Sequence, residues 1–291
     1  MKKLIFQLFT LIVFVSNSIA QSGVTSYTAP TDPITYDLKI DASGNKWVGF
    51  RKLGAGKFNG ASWTTYDTLT SGIASNQVNS IAFDPTGNVW LGTIKGVSKF
   101  DGTTWTTFNV INSGLPHDSV TSIYIDNTDI WIGTANGLAK FNGSSWTTYN
   151  TTSGLTSNLI QCISVETSGD VWVGTRAGLC KKLGSTWSNF NTTNPYIVNT
   201  FNIIAIYIDA ANDKWISSKG NLGNGVYKLV GSTLKPLNTL YPVLSASVSA
   251  PYSISKGPMG GVSFFGSGLT EIVGSQVYRY TYAGSDYNAV D

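Results

Sequence analysis

Five basic side chains lie in short segments that recur along the chain, and their chemistry is that of anion binding. They are Arg51, Lys52, Lys95, Arg176 and Lys219. The segments are residues 50–53, 93–95, 134–136, 175–177, 217–224 and 266–267. They contain no Asp or Glu, although an even spread of charge would place one or two there. If the segments converge, they form a positive site for a carboxylated or sulfated ligand, and the alternative is an ordinary solvated rim.

The single histidine does not predict catalysis. His117 lies in a loop whose counterparts in the other repeats carry serine at the same position. Its neighbour Asp118 aligns with Asn76 and Asn158, which favours a side chain that caps the loop backbone. A catalytic histidine needs a nucleophile and an orienting carboxylate. We therefore expect an exposed loop histidine and no catalytic residue.

The cysteines and the acidic turns do not predict a metal or a cofactor. Cys162 and Cys180 fall on the first and third strands expected for one repeat. Two strand spacings are about 9.6 Å, whereas a disulfide needs Cα atoms within about 7 Å. We expect two buried free thiols, which without a nearby histidine do not make a metal site. The turns lack the alternating carboxylates of an EF-hand, and no glycine-rich phosphate loop opens a helix.

An internal repeat of about 42 residues positions these side chains. Tryptophan recurs at Trp47, Trp90, Trp131, Trp172 and Trp215, and a second series lies at Trp63, Trp105, Trp146 and Trp187. Lysine recurs at Lys57, Lys99, Lys140, Lys181 and Lys228. Residues 225–234 and 268–277 are degenerate copies of 178–187, which makes six units. The first tryptophan series predicts packing between units, and the lysines are expected to lie over apolar neighbours.

Each unit predicts four short antiparallel strands. In the second unit these are Val78–Phe83, Val89–Thr93, Val97–Phe100 and Thr104–Phe108, separated by turns rich in Asp, Asn and Gly. No segment has a sustained helical period. One such sheet cannot bury both faces alone, whereas a radial arrangement covers both. The sequence therefore predicts an all-β fold, a β-propeller of six four-stranded blades over about residues 24–285, and a seventh blade would need about 42 more residues.

Residues 1–20 have the features of a cleaved signal peptide. Lys2 and Lys3 precede an apolar stretch from Leu4 to Val15, and Ser18–Ala20 is a small-residue cleavage site. Their removal leaves residues 21–291 for the propeller and lowers the formal net charge from +3 to +1. A nearly neutral chain does not favour a nucleic acid partner, and no other apolar run reaches the about 20 residues of a membrane span. We expect a secreted or periplasmic bacterial protein with no transmembrane segment after cleavage.

The repeat also carries a family resemblance. Residues 78–102 show the pattern Val-x-Ser-Ile-x-x-Asp-x-x-Gly-x-x-Trp-x-Gly-Thr-x-x-Gly-hydrophobic-x-Lys-Phe-Asp-Gly. This pattern resembles the two-component regulator propeller repeat, and the resemblance extends over roughly residues 34–280. It implies a propeller like those in the periplasmic sensor regions of bacterial hybrid histidine kinases, which often bind saccharides. Since no kinase sequence is present, the resemblance implies a stand-alone propeller and not signalling.

We expect a non-catalytic binding module that recognises an anionic saccharide or a protein partner. A glycan lyase or hydrolase is one alternative, and it would need paired carboxylates, or a Tyr or His base with an arginine, at one mouth of the propeller. The absence of carboxylates from the basic segments disfavours it. A structural envelope scaffold, or a fragment of a longer repeat protein, is the other alternative. Tyr196 and Tyr241 lie in two of the loops between blades. Exposed rings there would provide stacking surfaces, whereas buried rings would pack at the junctions between blades.

Overall fold

The chain folds into six antiparallel sheets whose strands follow one another in sequence. The computed structural model describes residue 30 and residues 34–190, 202–219, 225–231, 233–242, 253–257, 259–265, 269–283 and 286–290. The predicted signal peptide lies outside the described residues.

The first three sheets have four strands each. The first contains β1 (Thr35–Ile40), β2 (Lys46–Phe50), β3 (Ala55–Phe58) and β4 (Trp63–Tyr66). The second contains β5 (Val78–Phe83), β6 (Val89–Thr93), β7 (Gly96–Phe100) and β8 (Trp105–Phe108). The third contains β9 (Val120–Asp126), β10 (Asp129–Thr134), β11 (Gly137–Phe141) and β12 (Trp146–Tyr149). The second sheet thus has the strand order expected from its sequence, with ends that agree to within one residue.

The fourth and fifth sheets also have four strands, whereas the sixth has five. The fourth contains β13 (Ile160–Val165), β14 (Val171–Thr175), β15 (Gly178–Leu183) and β16 (Thr186–Asn189). The fifth contains β17 (Asn202–Ile208), β18 (Lys214–Lys219), β19 (Gly225–Val230) and β20 (Thr233–Pro236). The sixth contains β21 (Ile254–Lys256), β22 (Val262–Phe265), β23 (Leu269–Val273), β24 (Gln276–Ala283) and β25 (Asp286–Val290). The fifth strand of the last sheet was not expected, and it forms because the chain turns back and β25 pairs with β24.

The predicted all-β, six-bladed propeller is confirmed. Helical structure within the described residues is limited to one turn of 3-10 helix at Thr151–Ser153 and one α-helical turn, α1 (Leu237–Leu240). No described helix has the length and apolar character needed to cross a membrane.

Tryptophan rings fill the seams between successive sheets. Trp47 is 1% exposed and packs with Val78, Ile81 and Leu91 of the second sheet. Trp90 packs in the same way against Val120 of the third sheet, and the series continues to Trp215 against the sixth. A buried indole removes on the order of 200 Å² from water. The first tryptophan series is therefore structural, as the sequence predicted.

A carboxylate in the turn between the first and second strands fixes each ring in four of the sheets. In the second sheet, Asp84 Oδ1 accepts the backbone N–H groups of Thr86 and Asn88, both at 3.0 Å. Its other oxygen, Oδ2, accepts the indole N–H of Trp90 at 2.9 Å. The corresponding acceptors in the first, fourth and fifth sheets are Asp41, Glu166 and Asp209. In the first, second and fifth sheets one aspartate thus closes the turn and satisfies a buried donor, whereas Glu166 accepts the indole N–H and the side chain of Asn212.

The repeated lysines pair with the repeated tryptophans. Each lysine on the third strand lies directly across from the tryptophan on the second strand, as Lys99 does from Trp90. The Lys99 ammonium lies 5.3 Å from the centroid of the Trp90 ring, and all five lysines lie 4.9–5.4 Å from their rings. This distance is that of a cation–π contact. The expected lysine packing is therefore directed at an aromatic ring.

Candidate anion-binding mouth

The loops between the second and third strands share one local geometry. In the second sheet the Thr93 hydroxyl donates to the Gly96 carbonyl at 2.8 Å and accepts the Lys95 N–H at 3.0 Å. Thr134 and Thr175 make the same pair of bonds in the third and fourth sheets. A Cβ atom on Gly96 would lie 2.3 Å from a backbone oxygen, so the loop requires glycine there. The repeated Gly-Thr sequence thus builds a rigid reversal.

The loops between sheets are fastened to these reversals. The Gly54, Gly96 and Gly137 N–H groups donate to the carbonyls of Asn76, Asp118 and Asn158, at 2.6–2.8 Å. The side chains of the same three acceptor residues each accept a backbone N–H from the start of their own loop, at 2.8 Å. This result confirms the capping role predicted for Asp118. One end of the propeller is therefore a framework of hydrogen-bonded loops.

The five predicted ligand-binding residues lie at this end of their sheets. The backbone N–H of Arg51 donates to Ile34, and that of Arg176 donates to Leu159, so both residues lie beside the start of an inner strand. Lys219 ends β18 opposite Asn202, which begins β17. Lys52 follows Arg51, and Lys95 lies in the reversal of the second sheet. Each of these residues therefore lies at the same end of its own sheet, in the first, second, fourth or fifth blade, and we call this end the rim.

Three of these cations carry no ion pair in the described part of the chain. No carboxylate of the described residues lies within salt-bridge distance of Arg51, Lys95 or Arg176. Lys95 and Arg176 are exposed, whereas Arg51 is half-buried and its Nε has no hydrogen-bond partner. A buried donor without a partner is unfavourable, so an acceptor that reaches Arg51 gains a strong hydrogen bond.

A cavity of about 670 Å³ runs between the inner strands and is chemically distinct from the rim. Asp37, Lys39 and Asp209 supply its charges, and Tyr124 and Tyr207 supply its aromatic rings. None of the five basic rim residues is among the residues that line it. This cavity was not predictable from the sequence, because its lining comes from single positions on strands that are far apart in sequence.

Bulges near the start of five inner strands shape the rim end of this cavity. Register shifts occur beside Tyr36, Asn79, Thr121, Gln161 and Ile204. A bulge turns one extra side chain out of the alternating pattern. Asn79, Thr121 and Ile204 line the cavity, and the buried Thr121 hydroxyl has no hydrogen-bond partner. A polar residue recurs before Ser80, Ser122 and Cys162, whereas the residue at the same position in the fifth sheet is Ile204.

His117 caps the backbone of its loop. Its side chain is exposed, and Nδ1 accepts the Ser119 N–H at 2.9 Å. The hydroxyls of Ser75 and Ser157 accept the equivalent N–H groups in the neighbouring loops. The histidine therefore replaces a serine that caps the same turn, in agreement with the sequence analysis.

The two cysteines are free, as expected, but only one is fully buried. Cys180 is buried, whereas Cys162 is partly exposed and lines the central cavity. Burial raises the pKa of the Cys162 thiol to about 12 and also raises that of Cys180. Both are therefore protonated and unreactive at neutral pH. Among the described residues no group of three His, Cys, Asp or Glu side chains is arranged to hold a metal ion.

Tyr241 is a packing residue at a junction between blades. Its ring packs against the cluster around Trp215 and Phe264, and its hydroxyl donates to the Gly274 carbonyl at 3.3 Å. The structural interpretation therefore holds for this residue. Tyr196 lies outside the described residues.

The last sheet departs from the pattern of the other five at three positions. Ser263 takes the place of the tryptophan, and Glu271 lies across from it in the place of the lysine. Gly257 takes the place of the turn carboxylate. Glu271 Oε1 accepts the N–H groups of Met259 and Gly261, at 3.0 and 3.1 Å, which are the two donors that the turn aspartate accepts in the first, second and fifth sheets. The acidic residue in the lysine position was visible in the repeat alignment, but its new role depends on the fold.

The family described as two component regulator propeller matches this chain over residues 72–95 and 114–136. Both segments run from the loop between sheets to the reversal between second and third strands. Of the five basic rim residues, Lys95 lies within a matched segment and the other four lie outside both. No curated protein matches the chain in sequence.

Solved structures share the fold at low sequence identity. The extracellular domain of the two component system BT4673 from B. thetaiotaomicron superposes with a TM-score of 0.67 and 16% identity, over 88% of this chain and 34% of that chain. Virginiamycin B lyase from Staphylococcus aureus gives 0.65 and 14%, over 85% and 84%. PorZ, a surface component of the type-IX secretion system of Porphyromonas gingivalis, gives 0.61 and 20%, over 79% and 37%.

The chain spans about a third of the length of the two component system structure that it matches. At these identities the likeness concerns the fold, which a lyase, a two component system and a secretion component share. The resemblance to the two component regulator propeller repeat, first seen in residues 78–102, is confirmed by the family match and by the shared propeller fold.

Proposed function

We propose that this protein is an exported, non-catalytic binding module that recognises an anionic saccharide at the rim formed by Arg51, Lys52, Lys95, Arg176 and Lys219. The observation that carries the proposal is the contrast between two sets of basic side chains. The lysines of the third strands lie over tryptophan rings, and several also pair with carboxylates, such as Lys140 with Asp129 at 2.6 Å. Arg51, Lys95 and Arg176 have no such ion pairs within the described residues.

The rim is suited to binding because its backbone is already fixed. The reversals and the loops between sheets hold each other through hydrogen bonds, so binding does not have to order them. Arginine contributes bidentate hydrogen bonds to carboxylate or sulfate groups, and lysine contributes point charges. A saccharide that carries several such groups can contact several blades at once.

The non-catalytic part of the proposal rests on the side chains present at the rim. His117 caps a loop, and Asp118 accepts a backbone N–H. Glycan hydrolysis or elimination needs an acid and a base placed on either side of one bond. Prolonged incubation of the mature chain with the saccharide it binds should release no product, as measured by chromatography, and product formation would favour the enzyme alternative.

Binding should be measured with a sulfated, uronate-containing hexasaccharide such as a heparin fragment. We expect Arg176→Ala to weaken binding by roughly 1–3 kcal/mol, the range for hydrogen bonds to charged groups. Parent binding should also weaken with added salt. Arg176 is exposed, so the fold should be unaffected.

Lys256→Ala is the matched control. Lys256 is exposed and ends the inner strand β21, at the opposite end of its sheet from the rim. The control should bind like the parent. Equal binding by the parent, the Arg51→Ala variant and the Arg176→Ala variant would contradict the proposal, as would an equal loss in Lys256→Ala.

A further inference from the structure

The seam that precedes the first sheet lacks the ring that fills the other five. In the second sheet Ile81 is fully buried, and Phe83 meets the Trp47 ring at 6.3 Å between centroids. The residues at the same positions in the first sheet are Leu38 and Ile40, which are 40% and 58% exposed. The tryptophan that would cover them is absent, because its position in the last sheet is Ser263.

The acceptor for an indole N–H is nevertheless still in place. Glu271 Oε1 takes over the backbone bonds that Asp84 Oδ1 makes in the second sheet. Glu271 Oε2 then corresponds to Asp84 Oδ2, the oxygen that accepts the Trp90 N–H. Within the described residues Oε2 has no hydrogen-bond partner, and neither does the Ser263 hydroxyl. Both side chains are more than nine-tenths buried.

We propose that this sixth seam, defined by Leu38, Ile40, Ser263 and Glu271, is a docking site for a tryptophan side chain in an extended segment of a partner protein. The ring packs on Leu38 and Ile40, and its N–H donates to Glu271 Oε2. In the other five seams the equivalent surfaces hold an indole in this position. The free carboxylate oxygen adds a complementary acceptor, which an apolar ring without a donor leaves unpaired.

The proposed partner is a different protein because this chain has no tryptophan to offer. All nine of its tryptophans are described, and none of them is exposed. The rings of the second series also pack within or between their own blades, as Trp63 does with Phe58 and Trp105 with Phe100. Glu271 is shielded from solvent, so side chains that cover it must move aside and association should be slow. The proposal does not depend on the basic rim.

The test uses a labelled, blocked hexapeptide with the sequence of residues 88–93, Asn-Val-Trp-Leu-Gly-Thr, whose binding is followed by fluorescence anisotropy. The full mature chain should bind it saturably with a Kd below about 1 mM. We expect Leu38→Ser to weaken binding about tenfold, since it removes apolar contact at the centre of the site. Leu69→Ser is the control, because Leu69 is 90% exposed in a loop away from the seam.

The carboxylate contact is tested separately. Glu271→Gln keeps one oxygen for the turn but places an NH₂ group where Oε2 was, so binding should fall about fivefold for the tryptophan peptide. A peptide whose tryptophan is methylated on the indole nitrogen has no N–H to donate there. It should bind the parent and the Glu271→Gln variant with equal affinity. Ser263→Trp fills the seam internally and should abolish binding of both peptides.

Three results would overturn the proposal. They are the absence of binding at about 1 mM peptide, an equal loss in Leu69→Ser and Leu38→Ser, and undiminished binding to a folded Ser263→Trp variant. Sedimentation provides a further test of the partner. Self-association of the parent chain that Leu38→Ser abolishes would assign the seam to a second copy and would also overturn the proposal.

Discussion

The fourth and sixth sheets solve the same packing problem with different residues. In the fourth, the Trp172 N–H donates to Glu166 in the turn, and Lys181 bridges Glu166 and Asp170 at 3.4 and 2.8 Å. In the sixth, Ser263, Gly257 and Glu271 stand in the places of Trp172, Glu166 and Lys181. The carboxylate has moved from the turn to the third strand, and the ring and the cation are gone.

Glu166 accepts the side-chain N–H groups of Trp172 and Asn212, whereas Glu271 accepts the backbone N–H groups of the last turn, as an aspartate does in the turns of the first, second and fifth sheets. Gly257 allows the exchange because a Cβ atom there would lie 2.2 Å from Glu271 Oε1. An aspartate at 257 and a glutamate at 271 therefore exclude each other. The exchange removes the tryptophan from this seam, and Leu38 and Ile40 of the first sheet are 40% and 58% exposed.

The largest difference between the two sheets is expected when the residue at the tryptophan position is removed. Trp172→Ala should destabilise the chain by about 3–5 kcal/mol, since it leaves a cavity and an unpaired carboxylate oxygen. Ser263→Ala should change stability by less than about 0.5 kcal/mol, because the hydroxyl has no partner to lose. Urea unfolding of both variants measures the contrast. A large loss in Ser263→Ala would show that its hydroxyl is satisfied, for example by an ordered water.

The second largest effect on stability is expected when the side-chain acceptor of the last turn, Glu271, is removed. Glu271→Ala leaves the N–H groups of Met259 and Gly261 without their acceptor, and we expect a loss of about 3 kcal/mol in the free energy of unfolding. Glu271→Gln keeps an oxygen at the same place and should lose less than about 1 kcal/mol. Equal losses in the two variants would mean that the charge, and not the acceptor, stabilises the turn.

Glu166, the carboxylate in the turn of the fourth sheet, should make the stability of the chain depend on pH. Burial by itself raises the pKa of Glu166, but hydrogen bonds from Trp172, Asn212 and Lys214 outweigh it and lower the pKa to about 2 from 4.5. Since the folded pKa is lower, the carboxylate stabilises the fold above about pH 4.5, and this stabilisation disappears as the pH falls towards 2. Glu166→Gln should cost about 2 kcal/mol at neutral pH.

The control for this prediction is the same variant at low pH. Unfolding measured from pH 5 to pH 2 should show the parent losing stability faster than Glu166→Gln, so that the two curves converge. Parallel curves across that range would exclude Glu166 as the source of the pH dependence.

The smallest expected effect is that of one lysine over its ring. Lys99→Met keeps the aliphatic stem but removes the charge 5.3 Å from the Trp90 centroid, and it should cost about 0.5–1 kcal/mol. Lys95→Met, in the exposed reversal of the same sheet, should leave stability unchanged. An equal cost in both variants would mean that net charge, and not the ring contact, is responsible.

The repeat made most of the fold predictable. Regular spacing of Trp47 and its successors, together with Asp-x-x-Gly turns and Gly-Thr reversals, gave the strand order and the blade number, because each unit repeats the same local interactions. The position of the basic residues in the reversals was also predictable from the alignment. The central cavity, the bulges beside Asn79 and Thr121, and the fifth strand of the last sheet were not, because they depend on pairing between distant or irregular segments.

The sequence by itself determined the blade, since a blade is built from contacts within about 42 residues whose turns and pairings are local. Only the tertiary structure decided how each substitution in a degenerate blade is compensated. In the sequence, Glu271 at a lysine position indicates only a reversal of charge. In the fold its carboxylate reaches the turn that begins at Gly257 and accepts two backbone N–H groups there. The physical reason is that a side chain's partner across a sheet depends on register and on the space that a neighbour leaves free, and neither is encoded within one repeat.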